Sequence, residues 1–335
     1  MKGISSKSVV SLPIAEKEVG RYLESVFLSR FFAAGQEREG IHLEPASLLA
    51  PPFPGGHRQA DNGKSPFDRF FLGDDFDYIE GNQLLAPEGD RSLRQKRSIF
   101  FVKPSYWVVH DIFSGQGAFD AELVFPFSPE TKLEGNLSEG FHLTLPGFRA
   151  WMVPLGTHLK GIEVQEAESE KRILIRNEGP LPVSLTTVLY PETNESSFRH
   201  DFKLLYFPSA DGGTAFELLN STCTDTIMIA PPSGRIALSS MVFEGESLFV
   251  RRDYLGEISR VFALSARSCY WEGKLLFESA RPIPFLEFSY RGEVLHVWGE
   301  ISGPISLYAD GVDEVRVNGK KIYFTRDKGR LILHL

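Results

Sequence analysis

The segment RSIFFVKPSYWVVHDIF, residues 97–113, constrains the fold of this 335-residue chain more than any other feature. Residues 99–102 and 106–109 are aromatic or aliphatic at every position, which is typical of strands covered on both faces. Pro104 lies between the two runs and favours a turn, so the pattern predicts a β-hairpin. A hairpin covered on both faces needs further layers above and below it, which indicates stacked sheets.

The chain beyond residue 67 repeats this kind of pattern. Short apolar runs alternate with Gly, Pro, Asn and Asp, without helices between them, and Asn318-Gly319 is the strongest turn signal. Ahead of them, residues 14–33 carry apolar side chains at helical spacing, and residues 40–66 are rich in Pro, Gly and Ala. We therefore predict a mostly β protein. An antiparallel, multi-stranded sandwich, at most two sandwiches sharing sheets, should span residues 67–335, with one N-terminal helix and a long loop, residues 1–66, packed on it.

Charge and composition exclude some partners. The formal net charge of −8, without any Lys/Arg-rich block, argues against nucleic acid. An acidic glycan is still compatible with this charge as a partner, because a few arginines in one cleft can pair locally with carboxylates or sulfates. No segment has the apolar length of a membrane span or the pattern of a signal peptide, so we expect no membrane partner and, by default, a cytoplasmic protein. Cys223 and Cys269 either pair with each other or lie in the core.

The hairpin also resembles a known family. Residues 97–111 match in order the pattern Arg-Ser-x-x-Phe-Val-Lys-Pro-x-Tyr-Trp-Val-Val-x-Asp, which resembles the C-terminal β-sandwich domain of the heparinase II/III-like polysaccharide lyases. The segments FDYIEG (76–81), ELVFPF (122–127), TVLYP (187–191) and VRVNGK (315–320) resemble further strands of that domain. The resemblance implies the sandwich fold and a role in bacterial polysaccharide metabolism. It also implies a catalytic helical toroid ahead of the sandwich, for which this sequence offers only the helix at 14–33.

The family's chemistry has few counterparts in this sequence. The resemblance implies that the catalytic residues belong mostly to the toroid, and that several members hold a metal with His and Asp of the sandwich. No histidine stands at residues 94–96, and Pro126 occupies the other implied position, so only Asp111 remains. We therefore expect no metal and no other cofactor. Asp111 should be a structural carboxylate, paired with Arg97 or with backbone N–H groups, and His110 should point to the opposite face, at the surface or rim.

Polar residues around the hairpin form the candidate binding site. His57, Arg58 and Asn62 lie together in the long loop, and Arg94 and Arg97 belong to a basic stretch, residues 91–97, beside the hairpin. An arginine can pair with two carboxylate oxygens at once, which suits a carboxylated sugar. We expect these five residues to contact substrate where the loop crosses the hairpin. Arg97 has the alternative role of partner to Asp111.

Three functions remain open at this stage. We expect a module that binds an acidic polysaccharide or oligosaccharide, in particular one that contains uronate, as an accessory part that is not catalytic alone. The first alternative is an active polysaccharide lyase, with the toroid supplied by a separate chain or with a rearranged site that uses His57 and residues 91–97. The second alternative is a structural scaffold that docks a partner protein.

Overall fold

A computed structural model describes residues 68–334, except for 73–75, 87–92, 104, 116, 128, 138, 146–147, 157, 167–170, 193–202, 209–212, 232, 239, 310 and 328. The described part consists of β-strands and turns without a helix, which confirms the predicted mostly β class. It also contains no helix that could cross a membrane. The expected helix at 14–33 and the loop at 40–66 lie outside the described residues. The chain divides into two compact units, Met1–Glu195 and Ser196–Leu335.

The strands of the first unit are β1 Arg69–Leu72, β2 Phe76–Ala86, β3 Leu93–Val102, β4 Tyr106–Ser114, β5 Ala118–Phe127, β6 Lys132–Asn136, β7 Gly140–Leu145, β8 Phe148–Leu155, β9 Leu159–Glu166, β10 Lys171–Pro180 and β11 Val183–Glu192. Eight of them form one antiparallel sheet in the order β1-β2-β3-β4-β11-β8-β7-β6, and three form a small sheet in the order β5-β10-β9. The predicted hairpin is β3–β4, closed by a hydrogen bond of 2.7 Å from Ser105 N–H to the Val102 carbonyl.

Both faces of the large sheet are buried along much of its central strands. Side chains on one face, among them Val109 and Leu189, share a core with Phe125, Ile173 and Ile175 of the small sheet. Side chains alternate along a strand, so the neighbouring positions point to the other face of the sheet. On that face β2, β3, β4 and β11 place their even-numbered residues, and we call it the even face. On it, residues such as Val108 and Val188 are also inaccessible to solvent. The prediction that the hairpin is covered on both faces is confirmed.

The strands of the second unit are β12 Lys203–Pro208, β13 Thr214–Leu219, β14 Cys223–Ile229, β15 Arg235–Leu238, β16 Met241–Glu244, β17 Ser247–Asp253, β18 Ile258–Trp271, β19 Lys274–Arg291, β20 Val294–Gly299, β21 Ile305–Tyr308, β22 Glu314–Val317, β23 Lys320–Ile322, β24 Phe324–Asp327 and β25 Arg330–Leu333. They form one 14-stranded network. All of its described pairs are antiparallel except β20 with β22, which is parallel.

Two long strands organise the second unit. The first half of β18 pairs with β17 and its second half pairs with β16, while β19 pairs with β20 at one end and with β21 at the other. Register shifts interrupt the β18–β19 ladder after Ala266, where the strand changes partner. Side chains of β18, β19 and the strands that pair with either half of them fill one core, which contains Cys269. Both cysteines are free thiols, and burial raises the pKa of Cys269 well above its ordinary value.

The turn Asn318-Gly319 between β22 and β23 has the conformation that its sequence predicts. Both residues have positive φ, +50° and +78°, as a two-residue hairpin turn of this type requires. The side-chain amide of Asn318 also donates to the Gly299 carbonyl and accepts from its N–H, each at 3.1 Å. The turn is therefore attached to the end of β20.

The sequence pattern alone did not predict the division near residue 195, because apolar runs continue on both sides of it at similar spacing. Nor did it predict β6. This strand, Lys132–Asn136, lies at the edge of the large sheet and is mostly exposed, so its sequence, KLEGN, lacks the apolar alternation on which strand prediction depends.

Candidate functional site

The end of the β3–β4 hairpin contains a buried ion pair. Arg97 and Asp111 stand opposite each other in the ladder, and the guanidinium donates two hydrogen bonds to the carboxylate, from Nε at 2.6 Å and from Nη2 at 2.9 Å. Gln95 donates a third bond to the same carboxylate at 2.7 Å. Arg97 is 5% exposed and Asp111 is 1% exposed. The alternative role predicted for Arg97, as partner of Asp111, is thus the arrangement in the structure.

Strand alternation separates the residues of the basic stretch. Arg97 and Gln95 lie on the face of β3 that belongs to the core of the first unit, whereas Arg94 and Lys96 lie on the even face. Arg94 is exposed, and Lys96 is partly buried. A single ligand on one face of the sheet can therefore contact Arg94 and Lys96 but not Arg97. His57, Arg58, Asn62 and Arg91 lie outside the described residues, so their positions stay predictions.

A row of polar residues crosses five strands on the even face. Successive ladder partners are Arg69 of β1, Glu80 of β2, Ser98 of β3, His110 of β4 and Thr186 of β11. We call these five residues the polar row. Because side chains directly opposite each other in antiparallel strands are neighbours, the row forms one continuous polar strip across the even face.

Glu80 of the polar row contacts two cations and a hydroxyl group. Its carboxylate accepts bonds from Arg69 Nε at 3.0 Å and Nη2 at 2.7 Å, pairs with Lys96 Nζ at 2.9 Å, and accepts the Tyr78 hydroxyl at 2.5 Å. The Glu80 side chain is 6% exposed, whereas those of Arg69 and Lys96 are 37% and 28% exposed. One buried carboxylate thus contacts two partly exposed cations.

His110 differs from its expected position. It points away from Asp111, as strand alternation predicted, but it is 2% exposed instead of lying at the surface or rim. Its Nδ1 lies 2.8 Å from the Thr186 hydroxyl, and its Nε2 has no hydrogen-bond partner among the described residues. Burial, together with the charge of Lys96, lowers the pKa of His110 from 6.5 to about 3. The imidazole is therefore neutral at physiological pH.

A second polar cluster lies on the even face, around β7, β8 and β11. Glu192 accepts a hydrogen bond from Trp151 Nε1 at 2.7 Å, and its other carboxylate oxygen lies 3.0 Å from His142 Nε2. The His142 and Trp151 rings are 5.2 Å apart. Sequence analysis missed this cluster, because its members come from three strands and share no local pattern. Only the side chain of His142, at 22%, is substantially exposed.

The described residues contain no group of three or more His, Cys, Asp or Glu side chains that could hold a metal. Asp111 has no second acidic or imidazole group as a co-ligand there, since its carboxylate is bonded to Arg97 and Gln95. The site thus combines a buried ion pair, a buried neutral histidine and an exposed cationic corner formed by Arg69, Arg94 and Lys96. We call these three residues the cationic corner. An arrangement of this kind can attract an anion from solvent.

Comparisons with known proteins give distant matches only. No protein-family model and no curated protein sequence matches the chain. Among solved structures, a heparinase III matches over 56% of this chain and 27% of its own, with 14% identity and a TM-score of 0.35. Heparan sulfate lyase from Pedobacter heparinus matches over 45% of this chain and 25% of its own, with 13% identity and a TM-score of 0.35. A further heparinase III structure has 13% identity and a TM-score of 0.36, over 48% of this chain and 26% of its own. The chain spans about a quarter of the length of these structures.

Proposed function

We propose that this chain binds an acidic, uronate-containing polysaccharide and acts as an accessory module that is not catalytic alone. One observation carries the proposal. The cationic corner lies on β1 and β3, and β3 is also a strand of the hairpin whose sequence resembles the heparinase II/III-like lyases. Carboxylates and sulfates of a glycan are the groups that arginine recognises with two parallel hydrogen bonds.

Arg94 is the central binding residue in this proposal. It is exposed, and no ion pair or hydrogen bond of its side chain is found within the described part of the chain. Arg69 and Lys96 contribute charge while they stay attached to Glu80. His57, Arg58 and Asn62 complete the proposed site from the long loop. Their contribution rests on the sequence alone.

The chemistry of the described residues supports binding rather than catalysis. A lyase must bring a base and an acid into contact with the sugar. Tyr78, at 1% exposure, has its hydroxyl bonded to Glu80 and 3.2 Å from Ser98, and His110 is equally inaccessible. A polysaccharide on the surface reaches neither group. Activity would need residues from another chain or from the long loop, which is the alternative function that we retain.

Titration calorimetry of the full chain with uronate hexasaccharides, from alginate and from heparan sulfate, tests the proposal. We expect binding that weakens at high salt, because charged groups at a surface are screened. Arg94→Gln should lower the affinity by about tenfold, the scale of one hydrogen bond to a charged group. Arg58→Gln should have a similar effect. Arg176→Gln is the matched control, because Arg176 is an exposed arginine of the small sheet whose recorded partner is Glu163.

The same samples should give no rise in ultraviolet absorbance from unsaturated uronate. An absorbance increase that follows the protein through repurification would favour the lyase alternative. If no acidic glycan binds, or if Arg176→Gln weakens binding as much as Arg94→Gln, the proposed site is wrong.

A further inference from the structure

The second unit has its own cleft, separate from every residue discussed so far. Its volume is about 410 Å³, within the range of roughly 300–1,000 Å³ that small-molecule sites occupy. The turn between β17 and β18, residues 254–257, forms one side of it. The tip of the β18–β19 hairpin at Trp271 and Glu272, and the end of β21 at Tyr308, form other parts of it.

Two aromatic side chains contribute apolar surface to a cleft whose lining is mostly polar. Trp271 and Tyr308 are partly buried and pack against the core of the second unit. The guanidinium of Arg252 lies over the Trp271 ring, 5.4 Å from its centre, and donates to Glu217 at 2.8 Å. The charge of Arg252 is thus balanced within the unit, and its stacking holds the indole in place.

The turn beside the cleft exposes apolar side chains in a fixed conformation. Tyr254 is 75% exposed and Leu255 is 69% exposed, although turn positions usually carry polar residues. The Asp253 carboxylate accepts hydrogen bonds from the N–H groups of Leu255 and Glu257, each at 2.9 Å, and Gly256 has a φ of +85°. Leu255 also lines the cleft. Adjacent exposed apolar side chains at one turn are a feature of interaction sites.

Three charged side chains of the lining have unused hydrogen-bonding capacity. Within the described residues, Glu257, Glu272 and Lys274 form no ion pair or side-chain hydrogen bond. Since Glu217 neutralises Arg252, two carboxylates stand against one amine. Carboxylates only accept hydrogen bonds, so they require a ligand that donates. The excess of negative charge disfavours uronates and sulfated sugars.

We propose that this cleft binds a neutral sugar unit of a glycan. The apolar face of the pyranose ring packs on Leu255, beside the indole of Trp271, and its hydroxyl groups donate to Glu257 and Glu272. A combination of aromatic surface and polar rim is what an amphipathic ring requires. The inference shares with the proposed function only the premise that the ligand is a saccharide, and it uses none of the residues of the cationic corner.

The test is calorimetry of the full chain with neutral hexasaccharides of glucose, mannose, galactose and N-acetylglucosamine, at low and at high salt. We expect at least one of them to bind with an affinity that salt does not change. Leu255→Ser and Glu257→Ala should each lower that affinity by about tenfold or more. Both side chains are exposed, so both variants should fold. Tyr323→Ser is the matched control, because Tyr323 is an aromatic residue of the same unit that is 98% exposed but does not line the cleft.

Failure of all four neutral hexasaccharides to bind would overturn the inference. So would an unchanged affinity in Leu255→Ser and Glu257→Ala, or an equal loss in Tyr323→Ser. If only uronate hexasaccharides bind, with salt dependence and with loss in Arg94→Gln, the cleft proposal fails while the proposed function of the first unit stands. If a neutral hexasaccharide binds and no uronate hexasaccharide does, the cleft proposal stands while the proposed function of the first unit fails.

Discussion

The guanidinium of Arg97 and the carboxylate of Asp111 are joined by two hydrogen bonds across the β3–β4 hairpin, and both side chains are almost completely buried. A buried charge that loses its partner costs far more than an exposed pair contributes, because no water replaces the missing contact. We therefore expect this pair to stabilise the end of the hairpin, whereas Arg94, three residues away, is exposed.

Removing one partner of this pair should destabilise the first unit strongly. We expect Asp111→Ala to lower the free energy of unfolding by about 3–5 kcal/mol, because the buried Arg97 guanidinium loses its two hydrogen bonds to the carboxylate. Arg97→Lys should cost less, about 1–3 kcal/mol, since one of the two parallel bonds is lost while the charge remains. Urea denaturation measures both values.

The control for these variants is Arg176→Lys. Arg176 pairs with Glu163, and both side chains are about half exposed, at 50% and 46%. Its substitution should change stability by less than about 0.5 kcal/mol. Equal effects of Arg97→Lys and Arg176→Lys would contradict the structural role given to Arg97.

His110 should make stability depend on pH. Its pKa is lowered from 6.5 to about 3 in the folded protein, so below pH 6.5 the unfolded chain binds a proton that the folded chain does not. The stability that His110 contributes is fully present above pH 6.5 and is lost as the pH is lowered towards 3. Between pH 7 and pH 5 this group alone should remove about 2 kcal/mol.

Urea denaturation of the wild type and of His110→Asn at several pH values isolates this contribution. Asparagine does not titrate, so the variant should lose about 2 kcal/mol less than the wild type over the same interval, whatever its absolute stability. His296→Asn is the matched control. His296 is only partly buried, so the wild type and this variant should differ much less in slope. Parallel pH profiles for wild type and His110→Asn would show that His110 is protonated normally.

The contacts of Glu80 with Arg69 and Lys96 should stabilise the first unit. Glu80→Gln removes the charge that both cations contact and should lower the free energy of unfolding by about 1.5–3 kcal/mol. Glu163→Gln breaks an exposed pair and should cost less than about 0.5 kcal/mol. Thermal denaturation of the two variants compares them directly. The idea fails if Glu80→Gln is as stable as the wild type.

The side chain of Asn318 should contribute to stability in addition to favouring the turn conformation. Asn318→Gly keeps the positive φ but removes the two bonds to Gly299, whereas Asn318→Ala loses both advantages. We expect losses of about 1 kcal/mol for glycine and about 2 kcal/mol for alanine. Chemical denaturation gives the order of the two values, and a glycine variant as stable as the wild type would mean that the contact with Gly299 contributes nothing.

We also expect the purified chain to contain no stoichiometric zinc, because Pro126 and residues 94–96 replace the histidines that the resemblance implies. Elemental analysis should find far less than one zinc per chain, and a chelator should leave the melting temperature unchanged. One zinc per chain, lost together with stability on chelation, would show that the ligands lie elsewhere in the chain.

Local patterns were sufficient to predict the mostly β class, the hairpin of β3 and β4 and the turn at Asn318-Gly319. Each of these depends on a few adjacent residues, namely continuous apolar runs, a proline turn and two residues that tolerate positive φ. Strand alternation also separated His110 from Asp111 correctly. The role of Arg97 was left open, because the sequence shows a nearby carboxylate but not the register of the strands.

Tertiary structure decided which of these side chains are accessible. Burial of His110 depends on what covers the second face of a sheet, and the contact of His142 with Glu192 joins residues 50 positions apart. The cleft beside Leu255 is lined by the turn after β17 and the turn after β18, which are separated by the whole of β18 in the sequence. Such features depend on contacts between distant segments, whose free energies are set by three-dimensional packing, and no short window of sequence contains them. Many of the strands could therefore be predicted from the amino acids, whereas the accessibility of the described side chains could be determined only in the folded chain.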